Sequence, residues 1–157
     1  MKDELRLDFQ RRLSQCNKGE MIIIMYDILF AYLAEAKEEH GAGNYEGYKE
    51  AVKQGQKTLD MLMGALDFSY DISKELYRLY ITSKNLLAKG IYQNRLDGIC
   101  EAEEILQRLY KGFYEAAKTD TSAPLMKNTQ KVYAGMTYGR SSLNENLLND
   151  NNRGFLA

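Results

Sequence analysis

The 157-residue sequence contains one proline, no tryptophan, two cysteines and a single histidine. Because proline interrupts helices, its scarcity favours long continuous helices. Cys16 and Cys100 have no CxxC spacing and no neighbouring histidine, and two cysteines are too few for a disulfide framework. We therefore interpret both as buried or half-buried thiols in a protein of the reducing cytoplasm.

The scarcity of histidine removes most catalytic arrangements. Ser/His/Asp and Cys/His sites need a histidine as general base, whereas His40 lies at a predicted helix end, where it interacts favourably with the helix dipole. A di-metal site between helices would need two Glu-x-x-His pairs, and phosphate loops would need GxxxxGKS/T or GxGxxG; the sequence contains neither. The sequence predicts no catalytic residue, no metal site and no cofactor, and hence not an enzyme.

The charge balance argues against two other classes of partner. The formal net charge is −1 and the isoelectric point is near 5.9, with acidic and basic residues interspersed, so neither nucleic acid nor an anionic membrane surface is an expected partner. The N-terminal residues do not resemble a secretory signal peptide. The most apolar stretch, Met21 to Ala36, is shorter than the roughly 20 residues of a membrane span. We expect a cytoplasmic protein without membrane insertion.

Apolar residues recur at helical spacing, and no sustained alternation typical of strands is present. The predicted helices span about residues 3–15, from Asn17–Glu20 to 39, 45–67, from Asp71 or Ser73 to 89, and 95–118. Gly90 to Asn94 is interpreted as a connection, and Ile72 and Cys100 are expected on core-facing stripes. Short connections between long helices predict an all-α protein: an antiparallel up-and-down four-helix bundle with a short N-terminal fifth helix.

Composition changes after residue 118, which divides the chain into a predicted bundle domain, 1–118, and a C-terminal tail, 119–157. The tail is rich in asparagine, yet Val132, Tyr133 and Met136 share a helical face, and Ser142 and Glu145 have capping-box spacing. We expect an extended, partly helical tail that folds back onto the bundle or mediates self-association with a neighbouring copy.

The second predicted helix is apolar on most of its circumference. Ile22, Met25, Leu29, Leu33 and Ala36 form one stripe, and Ile23, Tyr26 and Phe30 form a second. A surface helix needs one apolar face, so the second stripe is available either to a binding partner or to the first helix and the tail. With catalytic chemistry excluded, binding is the favoured role. The alternative is a non-enzymatic scaffold bundle that self-associates.

Four stretches of the chain have a familiar order and spacing. They are Glu-Met-Ile-Ile-Ile-Met-Tyr-Asp at 20–27, Leu-Asp at 66–67, Ile-Ser-Lys-Glu-Leu-Tyr-Arg-Leu-Tyr at 72–80, and the trio Leu106, Leu109 and Phe113. Together they resemble the motifs of the flagellin-specific export chaperones, the FliS family, over about residues 15–118. Phe113 stands where that family usually has tryptophan.

The resemblance implies a chaperone that binds the disordered C-terminal segment of flagellin, prevents premature polymerisation and keeps the subunit export-competent without using nucleotide. It also implies that the N-terminal segment covers part of the client site until client displaces it, and it suggests flagellar export gate components as further partners. We hypothesise that nine residues line or support the client groove: Ile22, Ile23, Met25, Tyr26, Leu29, Phe30, Leu76, Leu79 and Tyr80. Tyr26 and Tyr80 would combine apolar packing with a hydrogen bond to client or core.

Overall fold

A computed structural model of the chain describes residues 3–126. This part of the chain contains five α-helices and no strand, which confirms the all-α prediction. The helices are α1 (Asp3–Gln15), α2 (Lys18–Gly41), α3 (Tyr45–Gly64), α4 (Ile72–Gln93) and α5 (Asp97–Lys118). The expectations for residues 127–157, including the apolar face at 132–136 and the capping box at 142–145, lie outside the described residues.

Local capping chemistry sets the start of α2 and α3 as the sequence predicts. The Asn17 side chain accepts a hydrogen bond from the Glu20 N–H at 2.8 Å, and the Glu20 carboxylate accepts one from the Asn17 N–H at 2.9 Å. This reciprocal pair is a capping box and satisfies two donors that the first turn leaves unpaired. Asn44 caps α3 by accepting from the Gly47 N–H at 3.1 Å. It follows Gly43, whose φ of +72° is readily available to glycine.

The boundary between α4 and α5 differs from the prediction. The expected connection at 90–94 is helical as far as Gln93, and the turn falls on Asn94, which adopts the left-handed conformation at φ 50°. Gly90 is buried inside α4, where a Cβ would lie 3.0 Å from the Ile99 side chain. A Cβ on Gly98 would lie only 2.4 Å from the Leu86 carbonyl oxygen. The two glycines therefore permit close helix packing, and Gly90 does not end the helix.

Some residues predicted to lie on core-facing stripes are exposed, among them Ile72 and Cys100. Ile72 is 64% exposed at the first position of α4, and Cys100 is exposed on α5. Both predictions were wrong because helical spacing fixes the face on which a residue lies, whereas burial also requires a neighbouring element at that level of the helix. The expected cap of α4 is also absent: Asp71 makes no side-chain cap bond, and the Ser73 hydroxyl donates to the Asp67 carbonyl at 2.6 Å.

The contacts between helices follow a regular order. α2 packs against α3 and α5, α4 packs against the same two helices, and α1 lies on α2 alone among the larger contacts. Two ion pairs join neighbouring helices. Lys37, late in α2, pairs with Glu103, early in α5. Lys84 in the second half of α4 contacts Asp60, late in α3, at 2.6 Å.

Two apolar clusters hold these helices together. The main core takes buried residues from α2, α3, α4 and α5, and the fully buried side chains with the greatest volume in it are Tyr26, Tyr48 and Tyr80. A second cluster comprises Phe9 and Cys16, from α1 and the break after it, against Ile24 of α2. Because the second cluster is so small, α1 is held by far fewer apolar contacts than the other helices.

Candidate functional site

Tyr26 lies in the main core. Its side chain is fully buried, and its hydroxyl is 2.8 Å from that of Tyr80, which is 1% exposed. Removal from water raises the pKa of both phenols above the ordinary value, since burial penalises the charged phenolate. The pair bridges α2 and α4 through the core, so each hydroxyl finds its partner inside the protein.

An aromatic group surrounds Tyr26 on the side of α5. The Phe30, Tyr110 and Phe113 rings lie 6.1, 5.9 and 5.7 Å from the Tyr26 ring, and Phe30 meets Tyr110 edge-on at 5.7 Å. These separations are typical of favourable aromatic pairs. The three outer rings are only partly buried. The second stripe of α2 therefore faces α5 and reaches the surface at its edges.

Asp27 connects three helices. Its carboxylate accepts a hydrogen bond from Arg12 of α1 at 2.5 Å. Burial, with the Asp27 charge and hydrogen bond as the next causes, raises the pKa of Tyr110 on α5. Asp27 interacts with the Arg12 cation of α1 and with the Tyr110 phenol of α5. These two interactions help to hold α1 and α5 on either side of α2.

The docking of α1 relies on few side chains. Phe9 is the one buried residue of the helix, with Leu13 partly buried beside it, whereas Leu5 is 40% and Leu7 65% exposed. On α2, Ile24 and Ile28 receive these side chains. A helix with a single buried anchor is easily displaced, because each large buried side chain contributes only about 1.5–3 kcal/mol.

An open cleft of about 470 Å³ runs between α1 and α5 over the first turns of α2. Ile23 and Ile24 contribute from α2, and Tyr114 and Ala117 contribute from α5. A smaller cleft of about 260 Å³ is nearly all apolar and includes Ile22, Phe113 and Ala116. Both clefts lie at the end of the molecule where α2 begins and α5 ends.

A patch of exposed apolar side chains occupies the turn between α3 and α4. Phe68, Tyr70, Ile72 and Tyr77 are 42–64% exposed, and the rings of Phe68 and Tyr77 meet edge-on at 5.8 Å. We call these four residues the turn patch. The sequence analysis does not predict this patch, because residues 68–70 fall between two predicted helices and Ile72 is expected in the core. The signal was available: two aromatic residues in a four-residue turn are unusual where loops favour polar residues.

The nine hypothesised client residues fall into three degrees of exposure. Buried are Ile23, Met25, Tyr26, Leu29 and Tyr80; partly buried are Ile22, Phe30 and Leu76; and exposed, at 37%, is Leu79. Ile22 and Ile23 additionally line the two clefts. In this conformation the buried members belong to the core, whereas Leu79 and the partly buried residues are accessible to solvent.

His40 lies beside the turn between α4 and α5. The His40 Nε2 lies 3.0 Å from the Asn94 carbonyl oxygen, and its ring packs edge-on to Tyr48. Within residues 3–126, no three His, Cys, Asp or Glu side chains gather as metal ligands would. None of the helices in this range combines the length and apolarity needed to cross a membrane.

Comparison with known families decides the identity of the chain. The family model described as "Flagellar protein FliS" matches residues 1–120, which cover more than half of the sequence. The chain belongs to the FliS family of flagellar export chaperones. No individual curated protein gives a match.

The structure gives physical roles to the FliS-like motif at residues 20–27. Glu20 completes the capping box that starts α2, and Tyr26 provides the buried hydroxyl at the centre of the core. Asp27 holds Arg12 of α1. In this FliS protein Phe113 contacts the Tyr26 ring, so the position usually taken by tryptophan still contributes an aromatic ring to the core edge. The motif therefore organises the helix start, the core and the docking of α1.

Proposed function

We propose that this protein is a cytoplasmic export chaperone that binds the disordered C-terminal segment of flagellin. Binding would prevent premature polymerisation and keep the subunit competent for export, with no catalytic step, cofactor or nucleotide. Export gate components are proposed as further partners. Membership of the FliS family carries this proposal. Helices α2 to α5 would serve as an antiparallel up-and-down four-helix bundle that offers the client a rigid surface.

The exposed apolar side chains support a client that is long and initially unfolded. Leu79, the turn patch and the two clefts offer separate apolar surfaces. A disordered segment can follow such surfaces as short helices and extended stretches, and it orders only when it binds. We propose direct client contacts for Ile22, Phe30, Leu76 and Leu79. Ile23, Met25, Tyr26, Leu29 and Tyr80 would support the surface from below.

Calorimetry with a peptide of the cognate flagellin C-terminal segment tests the proposal. We expect binding with a negative heat-capacity change, the mark of apolar burial. Leu79→Ser should weaken binding by about tenfold, the loss of one moderate apolar contact. The matched control is Tyr92→Ser on the same helix, because Tyr92 is 91% exposed and lies at the opposite end of α4. Absence of binding at high micromolar peptide concentrations would refute the proposal.

A self-associating scaffold is the second candidate, and the turn patch is the observation that favours it. Contiguous exposed apolar residues often mark contacts between proteins. Gel filtration with light scattering, with and without the flagellin peptide, separates the two candidates. A monomer that shifts only on adding peptide supports the chaperone, whereas an oligomer that is lost on Phe68→Ser substitution and ignores the peptide supports the scaffold.

A further inference from the structure

The segment that follows α5 stays in contact with the start of α2. We call residues 119–125 the strap. Asp120 lies against the start of α2: its carboxylate accepts a hydrogen bond from the Gly19 N–H at 3.0 Å, and its carbonyl accepts one from the Asn17 side-chain amide at 3.3 Å. Further along, the Leu125 N–H donates to the Cys16 carbonyl at 3.0 Å. The strap therefore contacts both residues of the break between α1 and α2, and the first turn of α2.

The Asp120 contact requires a glycine at position 19. A Cβ there would lie 2.7 Å from the Asp120 carboxylate oxygen and 3.4 Å from the Ala117 Cα. A separate hydrogen bond from the Ser122 N–H shapes the turn of the strap. Hydrogen bonds from Ser122 and then from Gly19 lower the pKa of Asp120. The Asp120 carboxylate is thus a second hydrogen-bond acceptor at the start of α2. It adds to the capping box, although it lies after α5 in the sequence.

The break that the strap holds is the point about which α1 would move. Cys16 and Asn17 are the two non-helical residues between α1 and α2. Beyond this break, α1 is held by Phe9, Leu13 and the ion pair from Arg12 to Asp27. Arg12 and Cys16 also line the 470 Å³ cleft whose other side is the end of α5. The strap runs from the end of α5, on one side of the cleft, to Cys16 on the other side.

We propose that the strap is a clasp that holds α1 against α2 and limits how far the cleft between α1 and α5 can widen. Releasing Asp120 from Gly19, or Leu125 from Cys16, frees the break and lets α1 swing away from Ile24 and Ile28. The consequence for flagellin, that client access to α2 depends on this clasp, rests on the proposed function. The clasp itself does not.

The two cysteines provide the measurement. Cys16 is 4% exposed at the break, whereas Cys100 is exposed on α5 and serves as the internal reference. A thiol reagent reaches Cys16 when α1 opens, so its labelling rate, followed by mass spectrometry on the full chain, reports the closed fraction. Asp120→Ala should raise the Cys16 rate about fivefold, the effect of losing a typical side-chain cap. The Cys100 rate should not change.

A second variant separates clasp release from general destabilisation. Gly19→Ala places a methyl group where the Asp120 carboxylate lies, so it should raise the Cys16 rate in the same way. Alanine is also the better helix former by up to about 1 kcal/mol, which offsets the lost contact, so the free energy of unfolding in urea should stay level. The control is Asp71→Ala, at a fully exposed aspartate before α4, which should leave both labelling rates unchanged.

Faster Cys16 labelling in both Asp120→Ala and Gly19→Ala, without a loss of stability in the second, supports the clasp. Unchanged labelling in both variants overturns it. An increase confined to Asp120→Ala also overturns it, because Gly19→Ala displaces the same carboxylate and should release the strap equally. Since no flagellin is present, failure of the clasp leaves the chaperone proposal standing, and failure to bind flagellin leaves the clasp standing.

Discussion

The buried pair of tyrosine hydroxyls should behave as one energetic unit. Tyr26 and Tyr80 are 0% and 1% exposed, with their oxygens 2.8 Å apart. Replacing either residue by phenylalanine removes one hydroxyl and leaves the other buried without that partner. Replacing both leaves two apolar rings of the same shape. We therefore expect the stability losses of the two single variants to add up to more than the loss of the double variant.

The expected size follows from the cost of an unpaired buried group. Leaving one hydroxyl without its partner costs about 1–3 kcal/mol, whereas removing both partners is nearly neutral. For a chain of this length, 1 kcal/mol corresponds to a change in Tm of roughly 2–4 °C. Tyr26→Phe and Tyr80→Phe should each lower Tm by about 2–12 °C. The double variant should lose well under the sum of the two.

A double-mutant cycle in urea, followed by circular dichroism, measures this coupling. Tyr92→Phe is the control, because the Tyr92 side chain is 91% exposed and its hydroxyl is free to meet water. Additive losses in the double variant would refute the reasoning, since they would mean that each hydroxyl is satisfied independently. Single variants as stable as the parent would refute it equally.

The same pair makes stability sensitive to alkaline pH. The folded protein holds both phenols at a pKa above their ordinary value of about 10, chiefly through burial. A group whose pKa is raised on folding contributes its full stability below the unfolded pKa and loses it as pH rises. Stability should therefore fall as pH rises above about 10. The double Phe variant should fall less steeply, and equal slopes would contradict the assignment.

Two further changes test the packing. Gly98→Ala should cost about 1–3 kcal/mol, because its Cβ would meet the Leu86 carbonyl oxygen at 2.4 Å; Gly55→Ala should be neutral or stabilising by up to about 1 kcal/mol, because its Cβ would lie 3.5 Å from its nearest neighbours. Urea denaturation compares the two, and equal losses would contradict this geometry. Asp27→Asn should speed amide exchange in α1 by up to about fivefold through its lost pair with Arg12 and leave α3 unchanged, as hydrogen-exchange mass spectrometry can show.

Helix number, order and most boundaries could be predicted because they depend on local chemistry. The capping box at Asn17 and Glu20 and the cap at Asn44 involve residues within three positions of each other. Local sequence gave the wrong prediction at Gly90, which lies inside α4 and not in a connection. A glycine that ends a helix and a glycine that permits close packing look alike in sequence, and the choice depends on whether another helix crosses there.

The surface was harder to predict than the helices. Whether Ile72 or Leu79 is exposed depends on how far a neighbouring helix extends beside it, and that information is not in the spacing of apolar residues. The contacts of the strap also depend on residues that are far apart in the sequence. Asp120 and Gly19 are 101 positions apart, so nothing local indicates that one carboxylate would contact the start of a helix near the other end of the described chain.

The apolar circumference of α2 now has three distinct neighbours. Gly55 of α3 faces Leu29 and Leu33 of the first stripe, and α5 covers the second stripe through rings around Tyr26. The third side, Ile24 and Ile28, meets only α1 in its cluster. The first two neighbours are long helices that share the core, whereas α1 has one buried side chain. Displacing α1 would therefore expose Ile24 and Ile28 and leave the shared core intact, which would add this third side to the client contacts proposed at Ile22 and Phe30.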